Sequence, residues 1–219
     1  MAKAPHKYRL DLDDSIAAPL RTHIERMLSI SPTWAEVEEL RKKAKAWRPD
    51  VQHFIVNGDL TIDGNIIVGT GKHDHGVVIV MGNISCKNLV VASGFSLVCV
   101  GNLTATEAIV AQLPDSTTYV GGKVKAKLLA SGRGAWMTVF DAKQLAGAKL
   151  SGYAMVGARP HSPTRKVDLA KVLVSGALDE REWRAMDADE RKVEKQADYV
   201  DINVSGVFKL LAKGASILR

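Results

Sequence analysis

HFIVNGDLTI, which begins at His53, is the first of five related stretches along the middle of the chain. The others are VVIVMGNISC from Val77, SLVCVGNLTA from Ser96, TTYVGGKVKA from Thr117 and, in weaker form, WMTVFDAKQL from Trp136. Their shared turn position, occupied by Gly58, Gly82, Gly101, Gly122 and Asp141, recurs at intervals of 24, 19, 21 and 19 residues. A period near 20 with a turn at a fixed place predicts a stack of coils.

Alternation within each copy predicts which side chains face the core. We read each copy as two short strands separated by the glycine, with alternate residues on opposite sides. The inward columns are Phe54, Val78, Leu97, Thr118 and Met137; Val56, Val80, Cys99, Val120 and Val139; Leu60, Ile84, Leu103 and Val124; and Ile62, Cys86, Ala105 and Ala126. The outward positions are Asp59, Asn83, Asn102 and Lys123, with Thr61, Ser85, Thr104 and Lys125. One copy cannot bury its apolar side alone, so each must lie against the next.

These patterns predict a mostly β protein with α flanks. Its centre, residues 51–158, is expected to be a short, right-handed, single-stranded β-solenoid of about five rungs. Residues 1–50 are expected to form an N-terminal helical cap. Residues 159–219 are expected to be a C-terminal loop and helical segment that packs on the solenoid, so that helices cap both of its ends.

Two amphipathic helices are predicted before the repeats. The first, over residues 15–30, carries an apolar stripe, and the second opens with Thr33 and Glu36 as a capping box and ends before Pro49. The stripes comprise Ile16, Leu20, Ile24, Met27 and Leu28, and then Trp34, Val37, Leu40, Ala44 and Trp47. We expect these helices to plug the first rung, because an uncovered strand edge promotes aggregation. The alternative is a partner-binding helix.

The sequence after the repeats predicts further helices. Residues 157–166 have the composition of a loop, residues 167–178 are weakly helical, and residues 187–197 are charged and helical. A last helix is predicted over residues 205–213, with Ser205 as its cap and Gly214 as its stop. Alternatively, residues 202–218 form a sixth rung.

Composition limits the class of protein. The 219 residues are 46% hydrophobic and 25% charged, with no apolar leader at the start and no run of about 18 apolar residues. A cytoplasmic protein without a membrane partner is expected. The two cysteines, Cys86 and Cys99, fall at inward positions and are expected to be reduced core thiols.

The net charge of +6 and the pI near 9.3 raise the question of nucleic acid. However, basic and acidic residues are mixed in the flanks, aromatic residues make up only 5%, and no recognised nucleic-acid module is present. We do not expect nucleic acid as a partner.

Catalytic and metal-binding patterns are nearly absent from the sequence. Lys72, His73, Asp74 and His75 form one cluster, but His-x-His in a long turn supplies at most two metal ligands. The glycines match neither a phosphate-binding nor a dinucleotide-binding motif. A repeat near 20 residues also differs from the six-residue repeat of solenoid acyltransferases. We therefore predict no catalytic residue, no metal and no cofactor; an enzyme of unrecognised type, using His73, Asp74 or His161, is the remaining alternative.

Basic residues concentrate in the last two copies. Lys123, Lys125, Lys127, Lys143 and Lys149, with Arg133 in the turn between, replace the Asp, Asn, Thr and Ser of earlier copies. On a stack they would form a basic wall, the name used below for these six residues, suited to an acidic partner surface. The alternative is a solvated lysine face that blocks edge pairing.

The repeat, in the form V-x-G-D/N-L followed by a later valine, resembles small bacterial solenoid proteins with a VVxGDLxxxNLxVxG pattern. The resemblance covers about residues 53–150, and residues 214–218 resemble the G-x-x-x-L end of such proteins. Members with similar flanks resemble immunity-type proteins found beside secreted polymorphic toxins, and more distantly the polymer-forming bactofilins. The matching residues are core and turn positions, so no functional residue carries over.

The function expected from this resemblance is a non-enzymatic bacterial binding protein. The first expectation is an immunity protein that neutralises a polymorphic or type VI toxin by occluding its active site. Its partner would be a cognate toxin with an acidic or neutral surface, and the protein would be a monomer or dimer. The alternative is a bactofilin-like scaffold that polymerises through its solenoid.

Overall fold

The computed structural model describes residues 51–69, 75–92, 94–111, 116–131, 136–163 and 167–219, with the backbone alone for residues 51–54 and 75. The predicted N-terminal helices lie outside these ranges. The strands are β1 (Val51–Val56), β2 (Leu60–Thr61), β3 (Asn65–Val68), β4 (His75–Val80), β5 (Ile84–Cys86), β6 (Asn88–Val91), β7 (Phe95–Cys99), β8 (Leu103–Ala105), β9 (Ala108–Ala111), β10 (Thr117–Val120), β11 (Val124–Ser131), β12 (Trp136–Val139), β13 (Gly147–Gly152), β14 (Ala154–Val156), β15 (Arg159–His161), β16 (Leu178–Asp179) and β17 (Asp201–Ile202).

Strands one turn apart pair in parallel, as a solenoid requires. The first sheet has the order β1-β4-β7-β10-β12-β14, the second β2-β5-β8-β11-β13, and the third β3-β6-β9-β11. The long strand β11 belongs to both the second and the third sheet. Four turns are complete, and a fifth contains β12 and β13. The predicted β-solenoid is therefore confirmed, with four full turns where about five rungs were expected.

Each complete turn contains three strands, whereas the alternation pattern predicted two. The third strands are β3, β6, β9 and the second half of β11. In β6 and β9 all four residues are buried. A strand buried on both sides reads as a continuous apolar run rather than as an alternation, so the pattern did not distinguish it from the turn.

The fifth copy departs from the repeat after its first strand. A 3₁₀ helix (Ala142–Leu145) stands where a second strand was expected. Asp141, which replaces the turn glycine, caps this helix together with Gln144. The Gln144 amide nitrogen donates to the carbonyls of Gly121 and Gly122 at 2.7 and 2.5 Å. One carboxamide thus satisfies backbone acceptors of the turn below.

The inward columns form the main core, largely as predicted. Ile84, Leu97, Leu103, Met137 and their column neighbours are buried together. The exception is Ile62, which is 41% exposed, because it lies in the first turn and no described turn stacks beneath it. Phe54 keeps its predicted register opposite Val78, although only its backbone is described.

The C-terminal segment packs along the side of the stack rather than across its end. It contains α1 (Leu169–Val172), a 3₁₀ turn (Ser175–Ala177), α2 (Arg181–Ala185), α3 (Glu190–Val193), α4 (Gln196–Tyr199) and α5 (Val204–Ala212). Leu173, Val207 and Ile217 share a buried cluster with Val90 and Val110, which point outward from the third sheet. The C-terminal segment therefore packs on the solenoid as predicted, but against its side rather than over its end.

The last helix is confirmed, and a sixth rung is excluded. Helix α5 begins one residue earlier than predicted, and its cap is Asn203, whose side-chain oxygen accepts from the Gly206 amide at 3.0 Å. Ser205 lies inside the helix and is not the cap. Gly214, with φ +69°, follows the end of the helix and is the stop residue that was predicted.

The two other helical predictions are corrected to shorter pieces. Within residues 167–178 the helical structure is limited to α1 and the 3₁₀ turn, and residues 187–197 break into α3 and α4 around Glu194. Val193 in α3 is 81% exposed. Residues 187–197 are polar on nearly all sides and have no apolar stripe to bury against the solenoid. Little tertiary packing therefore stabilises one continuous helix there.

Side-chain ladders fix the turn between the first two sheets. The Asp59 carboxylate accepts from the Asn83 amide at 2.7 Å, and the Asn83 oxygen accepts from the Asn102 amide at 2.8 Å. Glycine is needed directly above each residue of this ladder. For example, a Cβ on Gly101 would lie 2.7 Å from the Asn83 side-chain oxygen and 2.8 Å from the Gly82 carbonyl oxygen. These glycines are therefore required by close approach.

Candidate functional site

Three of the six wall residues lie on strand β11 or directly before it, in the second sheet. Residues 124–127 alternate between buried and exposed, which turns Val124 and Ala126 inward and Lys125 and Lys127 outward. Lys123, directly before the strand, is also exposed. These three lysines project from one side at intervals of about 6.6 Å, twice the rise per residue of a strand.

The asparagine ladder places Lys123. Its backbone amide donates to the Asn102 oxygen at 2.8 Å, as the final step of the ladder that begins at Asp59. Because lysine has no acceptor, its side chain cannot repeat this interaction with the next turn. The column thus begins with an exposed carboxylate at Asp59 and ends with an exposed ammonium at Lys123.

A bulge brings Lys149 beside Lys127. The pairing of β11 with β13 skips between Ala126 and Leu129, so that two residues of β11 face Lys149 alone. The amides of Lys127 and Leu128 both donate to the carbonyl of Glu107, at 2.8 and 3.2 Å. This is the corner at which β11 passes from the second sheet to the third, and a bulge is the usual way to make such a bend.

The structure brings together most of the predicted wall. Lys149 on β13 is exposed, as are the three lysines of β11 and its approach. Lys143 is exposed as well, but on the 3₁₀ helix rather than on a strand, with its backbone amide donating to the Asp141 carboxylate at 2.8 Å. Arg133 lies outside the described residues.

The five described wall lysines have no acidic partner among the described residues. Several basic residues elsewhere do pair with a nearby carboxylate, for example Arg181 with Asp179 at 2.6 Å and Arg184 with Glu180 at 2.7 Å. Lys195, Lys209 and Lys213 resemble the wall lysines in having no such pair within the described ranges. No carboxylate of the described ranges lies within ion-pair distance of the five wall lysines. Their charge is therefore available to a partner, and like charges so close together favour an anionic surface.

The two cysteines are confirmed as free, buried thiols. Burial raises the pKa of Cys86 to about 11 and that of Cys99 to about 12, the latter despite backbone hydrogen bonds that favour the thiolate. A thiol in this condition is a poor nucleophile at neutral pH, because the thiolate is the reactive form. Their role is to fill inward columns of the core.

The described ranges contain no group of three or more His, Cys, Asp or Glu side chains suited to hold a metal ion. Of the sequence cluster at residues 72–75, only the backbone of His75 is described. His161 is half-buried in β15, the antiparallel strand beside β14.

A shallow depression on the C-terminal segment is lined by Asp179, Arg181, Glu182 and Ala185. It lies away from the repeats, and its central Asp179 carboxylate is held by the Arg181 guanidinium. The contact between the third sheet and the C-terminal segment is mainly an apolar cluster, joined at one place by a hydrogen bond between Ser216 and Glu107.

Every helix within the described ranges is too short or too polar to traverse a lipid bilayer.

One polar cluster was missed by sequence reasoning. Glu107 accepts from Asn88 at 3.1 Å and from Ser216 at 3.2 Å, and lies 3.6 Å from the Lys87 ammonium. Asn88 is fully buried and also donates to Asn65 at 3.0 Å. Ser216 follows Glu107 by more than 100 residues, so no local sequence pattern predicts the contact. The only available signal was asparagine at the same place in two copies, Asn65 and Asn88.

Comparisons with known proteins gave no match: no family model fits the chain, and no curated protein or solved structure is significantly similar to it.

Proposed function

We propose that this chain is a non-enzymatic binding protein whose basic wall recognises an acidic surface of another protein. The observation that carries the proposal is the set of five exposed lysines without acidic partners in the described ranges, gathered on one side of a rigid stack. Strands fix the backbone of three of them, so little backbone conformational entropy is lost on binding. Clustered positive charge also speeds encounter with an anionic partner.

The more specific proposal is an immunity protein that occludes the active site of a bacterial toxin. It is supported by the resemblance of the repeat to immunity-type solenoid proteins and by the kind of surface that the wall offers. A toxin partner would carry a cluster of carboxylates at or beside its active site, because a basic toxin surface would be repelled by the wall.

A bactofilin-like scaffold is the second candidate. This candidate is supported by the strands of the first turn, since β1, β2 and β3 each lack a described neighbour on one side. Such edge strands could pair with another copy of the chain. The other end of the stack is less suited to polymerisation, because β15 ends the first sheet as an antiparallel strand. A filament needs both ends, which favours the binding protein over the filament.

Capture of a partner by charge-reversed variants tests the proposal. In the first variant Lys123, Lys125 and Lys127 are changed to Glu. In the matched control the same change is made at Lys195, Lys209 and Lys213, which are exposed on the C-terminal segment. Both variants lose six units of positive charge, so non-specific attraction falls equally. The immobilised full-length chain and both variants are incubated with lysate of the source organism, and retained proteins are identified by mass spectrometry.

The proposal predicts one protein that binds the parent and the control variant and whose affinity for the wall variant is at least about tenfold weaker. Equal capture by both variants would contradict it. For the immunity function, the captured protein must be toxic when expressed alone in a heterologous host, and the parent chain must relieve that toxicity. Salt-resistant assemblies of the purified chain in light scattering, with no captured protein, would favour the scaffold.

A further inference from the structure

Strand β13 has one paired side and one open side. It pairs in parallel with both halves of β11, and no described strand pairs with its other side. The first sheet differs at this end of the stack, because the antiparallel strand β15 pairs with β14. Gly147, Lys149 and Gly152 of β13 are exposed. A strand edge of this kind offers a row of backbone donors and acceptors to another chain.

The hydrogen bonds of the lower turns indicate which backbone groups of β13 face the open side. Inward residues of the second sheet donate their amides to the turn above, with Leu60 and Ile84 at 2.8 Å and Leu103 at 2.9 Å. Ala148 is an inward residue of the same sheet and lies opposite Ala126. Its amide therefore faces the open side, where no backbone group of the described residues bonds to it.

The side chains on the two faces of β13 differ in character. Lys149 points outward and belongs to the basic wall, and Lys143 is exposed on the 3₁₀ helix that precedes the strand. On the inward face, Ala148 packs against the main core but is only half-buried, whereas Ala105 in the same column is 2% exposed. The core is therefore incompletely covered along this edge.

We propose that a strand of the partner protein pairs with the open side of β13, and that acidic and apolar residues alternate along this strand. The inference rests on the proposed function, since the acidic residues would meet the basic wall. Outward side chains of an added strand lie about 4.8 Å from the row of Lys149. Inward side chains cover Ala148, and the backbone bonds of β13 are completed as in each lower turn.

A single strand fits this edge better than a second copy of the whole chain. A second copy stacked on the last turn would place its first sheet where β15 already pairs with β14. An extended segment needs only β13. The charge of Lys149 at the edge also disfavours strands without acidic residues, because an ammonium brought beside an apolar or basic side chain loses water without gaining a partner.

Binding of a synthetic peptide in which glutamate and valine alternate tests the proposal. The peptide carries a fluorophore, and its anisotropy is followed as the purified full-length chain is added. The matched control is a peptide of the same composition in which all glutamates precede all valines, since it has the same charge without the alternation. We expect the alternating peptide to bind at least about tenfold more tightly. Equal affinities, or binding of neither peptide, would contradict the proposal.

Two variants test whether the backbone of β13 forms the contact. Ala148→Pro removes the amide that faces the open side, and proline is tolerated at such positions of edge strands. Ala148→Ser retains the amide and is the control. We expect peptide binding at least about tenfold weaker for Ala148→Pro and nearly unchanged for Ala148→Ser. Equal binding by the two variants would rule out strand addition.

Amide hydrogen exchange of the parent chain gives a readout that needs no substitution. Saturation with the alternating peptide should slow exchange at the Ala148 amide and leave β2, the edge strand of the first turn, unchanged. Protection of β2 instead of β13 would contradict the proposal. Assemblies of the parent chain that Ala148→Pro disperses, seen by light scattering without peptide, would identify a second copy as the occupant and would also contradict it.

The capture experiment separates this inference from the proposed function. A protein that is lost by the variant with Glu at residues 123, 125 and 127 and by Ala148→Pro, but kept by Ala148→Ser, would support both. A protein that is lost by the first variant and kept by Ala148→Pro would leave the basic wall as the binding surface and overturn strand addition. Capture that neither variant changes would contradict both.

Discussion

Asn83 positions Asn102, 19 residues later in the chain, in the next turn of the solenoid. One side-chain oxygen of Asn83 accepts from both the backbone amide and the side-chain amide of Asn102, at 2.8 and 3.1 Å. The same pair of bonds links Asn83 to Asp59, at 2.7 and 3.0 Å. The turns therefore stay in register through side chains as well as through strand pairing, and the ladder ends where the basic wall begins.

Asn102→Ala is expected to lower the free energy of unfolding by about 0.5–1.5 kcal/mol, because it removes the acceptor of the Lys123 amide at an exposed site where water can replace it in part. Thr106→Ala, at an exposed position of the same turn, is the control and should change stability little. Denaturant unfolding of both variants measures the difference. Equal effects would mean that the ladder contributes nothing beyond the side-chain change.

Gly101→Ala is expected to destabilise the fold by about 1–3 kcal/mol, because the new Cβ would meet Asn83 and the Gly82 backbone at less than 3.0 Å. Gly176→Ala is the matched control, since its Cβ would meet only the Leu210 side chain at 3.5 Å or more. Thermal and denaturant unfolding compare the two variants. A Gly101→Ala chain as stable as the Gly176→Ala chain would show that the turns separate easily.

Thr118→Val is expected to stabilise the protein by about 1–3 kcal/mol. The Thr118 hydroxyl is buried between Leu97 and Met137 without a hydrogen-bond partner in the described ranges, and valine has nearly the same shape without the polar atom. Thr104→Val, on the outward side of β8, should have a much smaller effect. A loss of stability in Thr118→Val would imply that the hydroxyl does have a partner.

Glu107→Ala is expected to loosen the end of the chain, because the carboxylate joins Asn88 and Lys87 of the solenoid to Ser216. Amide hydrogen exchange should become faster over residues 215–219, with a stability loss of about 1–2 kcal/mol. Glu182→Ala, an exposed carboxylate on α2, is the control. Unchanged exchange at residues 215–219 would show that the apolar contacts alone hold this segment.

The buried thiols predict how stability depends on pH. Burial raises the pKa of Cys86 to about 11 and of Cys99 to about 12, whereas an unfolded thiol has a pKa near 9.0. The folded state therefore favours the protonated form. Its contribution to stability is fully present below pH 9 and is lost as the pH rises toward 11 and 12.

The check is a comparison with a Cys86→Ala, Cys99→Ala variant between pH 8 and pH 11. The free energy of unfolding of the parent chain should fall more steeply than that of the variant, since the other titrating groups are common to both. Parallel curves would contradict the predicted pKa shifts.

Local patterns were sufficient for much of the solenoid. The spacing of the turn glycines predicted the stacked turns. The alternation of apolar and polar residues along each strand predicted most of the inward columns, such as that of Val80, Cys99 and Val120, because a strand with one buried side alternates with a period of two. The same alternation predicted that Lys123, Lys125 and Lys127 point outward together, and they do. These parts of the fold and of the candidate site depend on neighbours along the chain.

Other features could not be read from the pattern. The third strands, such as β6 and β9, are apolar on both sides and carry no alternation. Asn203 rather than Ser205 caps α5, since either residue type suits a cap and the choice depends on where the chain turns. Lys143 lies on a 3₁₀ helix because Asp141 stands in place of the turn glycine and forms a capping box with Gln144.

Repeat spacing and alternation are enough to specify a stack of coils with a basic side, because both act through residues that are close along the chain. Which sides of that stack remain open depends instead on contacts between distant parts of the chain. The C-terminal segment covers the third sheet through contacts such as Leu173 and Ile217 with Val90 and Val110, and Ser216 reaches Glu107 across more than 100 residues. Such contacts depend on the shape and apolar surface that exist only after the turns have stacked, so no local pattern can specify them.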